Sequence, residues 1–436
     1  MLGGLAGLGA LAAVGAAGGL SGCAAPAAAG KGTRVRYWHL FGGGDGVNMQ
    51  QMLADFRAAH PDVALEDATL QWGAPYYTKL GMAGAGGRGP EVAAMHLARV
   101  PGFAPGRLLD AFDLDLLAEF GVRPTDFPEH LWRRGTFHGR QYAVPLDTHP
   151  QVLYYNTEVC RKAGLLTEDG RLVPLEDVER FTEAVRTATR VTGKPGLVTE
   201  ALGADVVGPF RFFSTFYSQT GGSLLNEDAT RITLDDDKAL RVLEWMAQLS
   251  REGLMTSHVD YNGAIGTFSH GESAFLINGE WEVSTFLNQE LPFSMTPIPG
   301  LFGRPTTQAD CHCFVLPHQR DRGGAGNEAA HRFVAWMLRH SVHWAAGGHV
   351  PAYLPTLSRP DYLKLAPQSE YREVIDDVVL DPPAWFAGSA SVMQIELGEV
   401  LSGVFTGSRT PRNALREVRK RLRDLLDTEN PFGVTP

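Results

Sequence analysis

Large aromatic residues with polar neighbours occur where the sequence predicts loops at the ends of strands. Sugars bind by this chemistry, because the C–H faces of a pyranose stack on aromatic rings while carboxylates, amides and imidazoles bind the hydroxyl groups. A single aromatic residue is more often part of a core, so the inference rests on the whole set. The aromatic members are Trp38, Phe41, Trp72, Tyr76, Tyr154, Trp281 and Trp385, and the polar members are His39, Asp45, Asp147, His149 and Glu280.

Motifs for catalysis are weak in this sequence. The glycines of 42–46 precede a predicted helix and could cradle a phosphate, but they lack the lysine and the Ser or Thr of a P-loop. The segment 271–275 lacks the last glycine of a nucleophile elbow. Asp147 and Glu280 could form the carboxylate pair of a glycoside hydrolase, although nothing in the sequence shows that they meet. We therefore expect a binding protein with no catalytic residues, and a hydrolase remains the alternative.

Metal and cofactor sites are not predicted. The segment Cys311-His312-Cys313 has no second pair of ligands nearby, so it falls short of a zinc site. His340 and His343 lie one helical turn apart and are more typical of packing or surface histidines. If Cys23 is modified, three cysteines remain, and an odd number leaves at least one unpaired.

The N-terminal segment resembles the signal of a bacterial lipoprotein. Residues 1–22 are almost all Gly, Ala and Leu, and they end at Leu20-Ser21-Gly22-Cys23, which is similar to a lipobox. The resemblance implies cleavage before Cys23, a lipid on its thiol, and an extracytoplasmic protein anchored to the cell membrane. Because no Lys or Arg precedes Lys31, we expect the true start to lie upstream and to carry the missing basic residues, for which a twin-arginine signal is one candidate. An Ala- and Gly-rich tail with an unrelated cysteine is the alternative.

The bulk composition is typical of a globular acidic protein. The 436 residues are 44% hydrophobic, and 49 acidic against 39 basic residues give a net charge of -10. This balance argues against a nucleic-acid partner. No apolar run after residue 22 approaches the ~20 residues that span a bilayer. Residues 23–32 are predicted to be a tether rich in Ala, Pro and Gly.

Strands alternate with helices along the chain, which predicts an α/β fold with largely parallel sheets. In such sheets the ligand lies beyond the carboxyl ends of the strands, where Trp38 and Asp45 follow the first strand. The predicted strands are 33–40, 63–70, 91–95, 153–155 and 274–277. The predicted helices are 49–56, 76–82, 178–189, 238–252 with a cap at Asp235 or Asp236, 331–339, and 414–426 with Leu415, Val418, Leu422 and Leu425 facing inward.

Several segments, taken in order, resemble the family 1 extracellular solute-binding proteins of ABC sugar importers, the family of the maltose-binding proteins. Residues 35–43 and 60–63 are similar to the opening of these proteins. Residues 139–145 (GRQYAVP) are similar to their Gly-Lys/Arg-x-Tyr-x-x-Pro signature. Residues 271–281 (GESAFLINGEW) resemble the segment that places a tryptophan in the sugar site. The matches run from about residue 33 to residue 425.

The resemblance implies a periplasmic-binding-protein-like fold with two α/β lobes, a hinge, and a ligand cleft between the lobes. The expected lobes are 33–147 with 302–350, and 148–301 with 351–436. A mono- or oligosaccharide in the cleft, closure on binding, delivery to the transmembrane subunits of an ABC permease, a monomeric state and no cofactor are also implied. A binding protein for a peptide, an amino acid or a metal is the nearer alternative.

The resemblance also implies roles for individual residues. Trp281 would stack on the sugar, and His96 and Arg99 would make polar contacts. Arg211 aligns with a loop that offers an aromatic ring in the family, so that contact would move to Phe210 or Phe213. Asp147 and His149 flank the first crossover and could serve the hinge instead of the ligand. The expected ligand-binding residues are Trp38, Phe41, Asp45, Trp72, His96, Arg99, Asp147, His149, Arg211, Glu280, Trp281 and Trp385.

Overall fold

The computed structural model describes residues 32–203 and 205–431, so Cys23 and most of the predicted tether lie outside the described residues. The strands are β1 Thr33–His39, β2 Val63–Thr69, β3 Val92–His96, β4 Leu109–Asp110, β5 Thr136–Phe137, β6 Arg140–Gln141, β7 Ala143–Pro145, β8 Asp147–Asn156, β9 Leu197–Val198, β10 Met255–Thr256, β11 Phe275–Gly279, β12 Phe293–Pro297, β13 Thr307–Asp310, β14 His312–Pro317, β15 Val350–Pro351 and β16 Val378–Val379.

The α-helices are α1 Gly46–Ala59, α2 Ala74–Ala85, α3 Leu114–Glu119, α4 Glu129–Arg134, α5 Thr157–Lys162, α6 Val178–Thr192, α7 Gly208–Gln219, α8 Asp236–Arg251, α9 Tyr261–Ser269, α10 Val283–Asn288, α11 Gly324–Arg339, α12 Ser341–Ala345, α13 Leu354–Leu357, α14 Pro360–Leu363, α15 Val392–Phe405 and α16 Pro411–Asp427. Short 3-10 helices occupy Leu97–Gly102, Pro124–Asp126, Glu280–Glu282 and Gln368–Asp376. Among the described helices, none is long and apolar enough to cross a membrane.

The strands form two larger sheets that are mixed, which corrects the prediction of largely parallel sheets. The first sheet has the order β2-β1-β3-β14-β4 with β7 beside β14, and the second has the order β10-β9-β11-β8-β13-β16 with β12 and β15 also beside β8. β14 and β8 run antiparallel to their neighbours. These two strands enter their sheets directly from the other sheet, without the helical crossover that a parallel pair requires.

Three short segments carry the chain between the sheets. Leu146 joins β7 to β8, Cys311 joins β13 to β14, and residues 346–349 lead from α12 to β15. The segments are bonded to one another, since the backbone N–H of Leu146 donates to the carbonyl of His312 (2.7 Å) and its carbonyl accepts from Ala352 (3.1 Å). We propose that each sheet forms the core of one lobe. Because β13 belongs to the second sheet and β14 to the first, the chain would return to the first lobe at Cys311, later than the expected boundary at residue 302.

The longer predicted helices are confirmed. Asp235 caps α8, because its side chain accepts a hydrogen bond from the backbone N–H of Lys238 (3.1 Å). The apolar stripe of α16 is buried as predicted and packs into the buried cluster that includes Phe212, Trp245 and Leu401, which we call the second core. β8 extends well beyond the predicted 153–155, and every one of its residues is buried. This strand lies at the centre of the second sheet, where it pairs with β11, β12, β13 and β15.

Candidate functional site

A pocket opens between the two sheets and has a volume of about 580 Å³. This volume lies within the range of about 300–1,000 Å³ that is typical of small-molecule sites. Loops that follow β1, β2 and β3 form one side, as expected for the carboxyl ends of parallel strands. The lining residues are Leu40, Gly42, Gly43, Asp45, Thr69, Leu70, Gln71, Trp72, His96, His149, Glu200, Asp205, Val207, Arg211, Tyr261, Trp281, Glu282 and His312.

Aromatic rings come to the pocket from both sheets. Trp72 follows β2, whereas Trp281 follows β11 of the second sheet. The indole N–H of Trp281 donates to the hydroxyl of Tyr261 (2.6 Å), and that hydroxyl donates to Glu282 (2.5 Å). The guanidinium of Arg211 lies 5.3 Å from the centre of the Trp281 ring. These contacts fix the orientation of the Trp281 ring before any ligand arrives.

Three histidines form the floor of the pocket. The ring centres of His149 and His312 lie 4.0 Å apart, and His96 lies 4.8 Å from His312 and 5.3 Å from His149. The Nδ1 atoms of these rings bond to groups beneath the floor: Tyr77 for His96, and Asp147 for His149 (3.1 Å) and His312 (2.8 Å). The Nε2 atoms are therefore the polar atoms left for a ligand. Burial lowers the pKa of His149 to about 3 and the pKa of His96 well below its usual value, so both rings are neutral.

Asp147 is fully buried beneath the floor and accepts hydrogen bonds from two of its histidines. Besides the two imidazole groups, it accepts hydrogen bonds from the backbone N–H of His312 (2.8 Å) and the indole N–H of Trp344 (2.6 Å). Burial by itself would raise the pKa of Asp147, but His312, His349 and the hydrogen bonds hold that pKa well below its ordinary value. Asp147 is therefore ionised, and it orients the rings of His149 and His312.

His349 lies one layer deeper, among three carboxylates. Its Nδ1 is 2.9 Å from Glu280 and 3.3 Å from Asp147, and its Nε2 is 3.4 Å from Asp45. The ring stacks on Trp344 with 4.1 Å between centres. Burial lowers the pKa of His349, but attraction to Asp147, Asp45 and Glu280 outweighs burial and raises this pKa to about 10. Burial also raises the pKa of Glu280 to about 7.

The structure brings part of the expected site together. The expected residues that line the pocket are Asp45, Trp72, His96, His149, Arg211 and Trp281. Phe41, Asp147 and Glu280 lie beneath the lining instead. Phe41 packs against His312 and Trp344, with ring centres 4.8 and 4.6 Å away. All three side chains are therefore one layer too deep to touch a ligand directly.

Three other expected residues lie outside the pocket lining. Trp38 packs against the buried cluster that includes Tyr37 and Phe314, which we call the first core, and the ammonium group of Lys79 lies 5.1 Å from the Trp38 ring. Arg99 lies 4.4 Å from the ring of Tyr77. Trp385 packs on the second core beside Phe386. Each of these side chains is held by a partner away from the pocket.

Phe210 and Phe213, the expected substitutes for a ring at Arg211, are buried in the second core and do not line the pocket. Tyr261, Glu282 and Glu200 could not be selected from the sequence, because only the folded chain brings their segments to the pocket. His312 carried a usable signal, since it begins the buried strand β14 directly after Cys311. Its position between two cysteines points to a metal ligand and not to a pocket residue.

The geometry gives no support to Asp147 and Glu280 as the carboxylate pair of a hydrolase. Asp147 and Glu280 both contact His349, and neither of them lines the pocket. Glycoside hydrolysis needs two carboxyl groups on either side of a bond of the bound sugar. These two carboxylates instead share a buried imidazole ring.

Comparison with known families places the chain among binding proteins. The family model for bacterial extracellular solute-binding proteins matches residues 43–343. The arabinooligosaccharide-binding protein of Bacillus subtilis (strain 168) is 25% identical over 247 residues, which cover 53% of this chain and 51% of that protein. The lactose-binding protein of Rhizobium radiobacter is 29% identical over 171 residues, 38% of each chain. The chain thus spans about half, or less, of the length of these curated relatives.

Solved structures confirm the predicted fold. The GacH receptor of Streptomyces glaucescens GLA.O, solved unliganded and with acarbose, has a TM-score of 0.78 at 19% identity and covers 91% of this chain and 100% of its own. The cyclic alpha-maltosyl-1,6-maltose binding protein from Arthrobacter globiformis has a TM-score of 0.73 at 21% identity, and covers 91% of this chain and 99% of its own. The periplasmic-binding-protein-like α/β architecture is therefore that of this chain.

Proposed function

Because the chain belongs to the bacterial extracellular solute-binding proteins, we propose that it captures a mono- or oligosaccharide in the pocket between its sheets and delivers it to an ABC permease. The aromatic rings around a polar floor carry this proposal. Trp72 comes from one sheet and Trp281 from the other, while the floor offers the Nε2 atoms of three histidines. Aromatic rings at the sides can stack on the C–H faces of a pyranose, and the hydrogen-bonding atoms between them can bind its hydroxyl groups.

The position of the pocket also suggests how binding is signalled. Its lining is shared between loops of the first sheet and residues 200–211 and 261–282 of the second. A ligand that contacts both lobes favours the arrangement in which they are close together. The permease would recognise this closed form. Names of the curated relatives, which bind arabinooligosaccharides and lactose, are consistent with a saccharide as the ligand.

We also propose that the mature protein is a monomer held outside the cytoplasm by a lipid on Cys23. The lipobox-like sequence before Cys23 supports the anchor. Acyl chains contribute about 0.8 kcal/mol per buried CH₂, so more than one chain is needed for stable attachment. Mass spectrometry of the purified membrane form tests this, since an unmodified Cys23 would contradict it.

A thermal-shift screen against mono- and oligosaccharides tests the function. A ligand at ~100 times its Kd adds about 2.7 kcal/mol to the stability, which is readily detected as a higher Tm. Trp281→Ala removes one stacking face, so we expect ~10- to 30-fold weaker binding, about 1.5–2 kcal/mol. Trp385→Ala is the matched control, because this ring lies outside the pocket lining. A folded protein that no saccharide stabilises would overturn the proposal and direct attention to peptides and amino acids.

A further inference from the structure

The cluster beneath the pocket carries more negative charge than the protein compensates. Asp45, Asp147 and Glu280 surround His349, and all four residues are buried. In residues 32–203 and 205–431, the ion pairs of these three carboxylates are with histidines alone, and no Lys or Arg approaches them within 4 Å. Buried carboxylates are costly unless a cation neutralises them.

Several atoms in this cluster also lack hydrogen bonds. Both carboxylate oxygens of Glu280 and both ring nitrogens of His349 are buried without a partner in hydrogen-bonding geometry among the described residues. Glu280 is 0% exposed and His349 is 1% exposed. Buried polar atoms are otherwise almost always hydrogen-bonded. His349 Nδ1 therefore lies close to Glu280 and Asp147, but the geometry of these contacts is not that of a hydrogen bond.

The neighbouring side chains have the composition of a metal site. Asp147, His149, His312 and His349 each offer one ligand atom, and these atoms all lie within 4.8 Å of one another. The distances to Asp147 oxygens are 3.1 Å from His149, 2.8 Å from His312 and 3.3 Å from His349. In a tetrahedral site with metal–ligand bonds of about 2.0–2.1 Å, neighbouring ligand atoms are roughly 3.4 Å apart. Small rotations would open the cluster enough for an ion.

We propose that these four side chains bind one divalent transition-metal ion, zinc or a chemically similar ion, as a resident structural ion beneath the ligand pocket. Three imidazoles and one carboxylate are borderline ligands that suit zinc. The neutral His149 would bind the ion through Nδ1 after its ring proton has moved to Nε2, and a ring that carries two protons would release one of them to solvent. Its charge of +2 would offset the excess of carboxylates, and no redox step is involved.

The groups around the four ligands fit this role. A histidine that binds a metal usually donates its other ring N–H to a carboxylate. Asp45 lies 3.4 Å from the Nε2 of His349 and is placed for this contact. Trp344 donates to Asp147 and stacks on His349, which restricts both side chains. The ligands belong to β8, β14 and the 346–349 segment, so the ion would join the three crossing segments.

Zinc binding to the purified protein tests the proposal without any saccharide. The protein is first stripped of metal with a chelator, and Zn²⁺ is then added back. We expect it to bind one Zn²⁺ per chain by elemental analysis and calorimetry, and to have a higher Tm with Zn²⁺ than with chelator. Co²⁺ in the same site should give the visible absorption of a tetrahedral complex. His349→Gln should weaken Zn²⁺ binding by about 100-fold or more, and Asp45→Asn by about 10- to 100-fold.

His343→Gln is the matched control, because His343 is an exposed histidine of α12 and should leave Zn²⁺ binding unchanged. His149→Gln serves if His349→Gln fails to fold, since His149 lies at the floor of the pocket. A wild-type protein that takes up no stoichiometric Zn²⁺ overturns the proposal. Zn²⁺ binding that is unchanged in both His349→Gln and His149→Gln also overturns it. The saccharide screen is read separately, so a failure here leaves the proposed function standing.

Discussion

Glu200 is a nearly buried carboxylate that lines the pocket, and its burial makes the stability of the fold depend on pH. The residue is 8% exposed, and its Oε2 accepts a hydrogen bond from the backbone N–H of Gly208 (2.8 Å) at the start of α7. Burial raises the pKa of Glu200 to about 7, which outweighs the attraction of Arg211. The folded protein therefore binds this proton more tightly than the unfolded chain does.

Glu200→Gln removes the cost of ionising this carboxylate while it keeps an oxygen for Gly208. The difference between the ordinary pKa of 4.5 and about 7 corresponds to about 3 kcal/mol, since one pKa unit is ~1.36 kcal/mol. Because the pKa is raised in the folded state, Glu200 lowers the wild-type stability progressively as the pH rises from about 4.5 to about 7. The variant should be about 2–3 kcal/mol more stable than wild type at pH 8, and within about 1 kcal/mol of it at pH 5.

Urea unfolding at pH 5 and pH 8 measures both differences. Glu227→Gln is the control, because Glu227 is exposed and its substitution should change the stability by less than about 0.5 kcal/mol at either pH. An equal gain for Glu200→Gln at both pH values would mean that packing, and not ionisation, is responsible. No gain at pH 8 would show that water or Arg211 solvates the carboxylate well enough to cancel the effect of burial.

Three further changes probe the packing around the site and the cores. Gly348→Ala should cost more than about 2 kcal/mol in urea unfolding, because Gly348 has φ +112° and a Cβ would lie 2.3 Å from the carbonyl oxygen of Glu280; Gly407→Ala, in open space, should cost about 1 kcal/mol. Burial raises the pKa of Cys160 to about 12, so peptide mass spectrometry should find it labelled by a thiol reagent only after unfolding, and prompt labelling in the native protein would contradict this. Leu422→Ala should cost about 2–5 kcal/mol, because this side chain is fully buried between α16 and the second core, and a loss below about 1 kcal/mol would show a loosely docked helix.

Secondary structure was predictable wherever one face of an element repeats its polarity. The stripes of α1 and α16 are both buried in the structure. Strand directions were not predictable in this way, because β8 and β14 enter from the other sheet. Alternating strands and helices predict a parallel arrangement correctly only where a helix connects neighbouring strands, as it does for β1, β2 and β3.

The candidate site could be predicted to the correct loops but not to the correct depth. His149 and Asp147 are two residues apart on β8, yet His149 lines the pocket and Asp147 lies beneath it. Phe41 and Asp45 follow the same strand and also divide between the core and the pocket. In the loops and crossing segments, depth depends on what the other sheet places against a residue. That information is spread over the whole chain.

The floor of the pocket links the two proposals through the protons of its histidines. While Asp147 accepts the Nδ1–H group of the neutral His149, the Nε2 atom of that ring can only accept a hydrogen bond from a ligand. A metal ion on the Nδ1 atom of His149 would move the single proton of this ring to Nε2, so that Nε2 would donate instead. A saccharide that offers hydroxyl protons to the floor would then bind more weakly to the metal-loaded protein, and by linkage it would weaken metal binding by the same factor. Saccharide affinities measured with Zn²⁺ and with chelator should therefore differ in a Zn²⁺-binding protein, and equal affinities would show that the Nε2 atom of His149 does not contact the ligand.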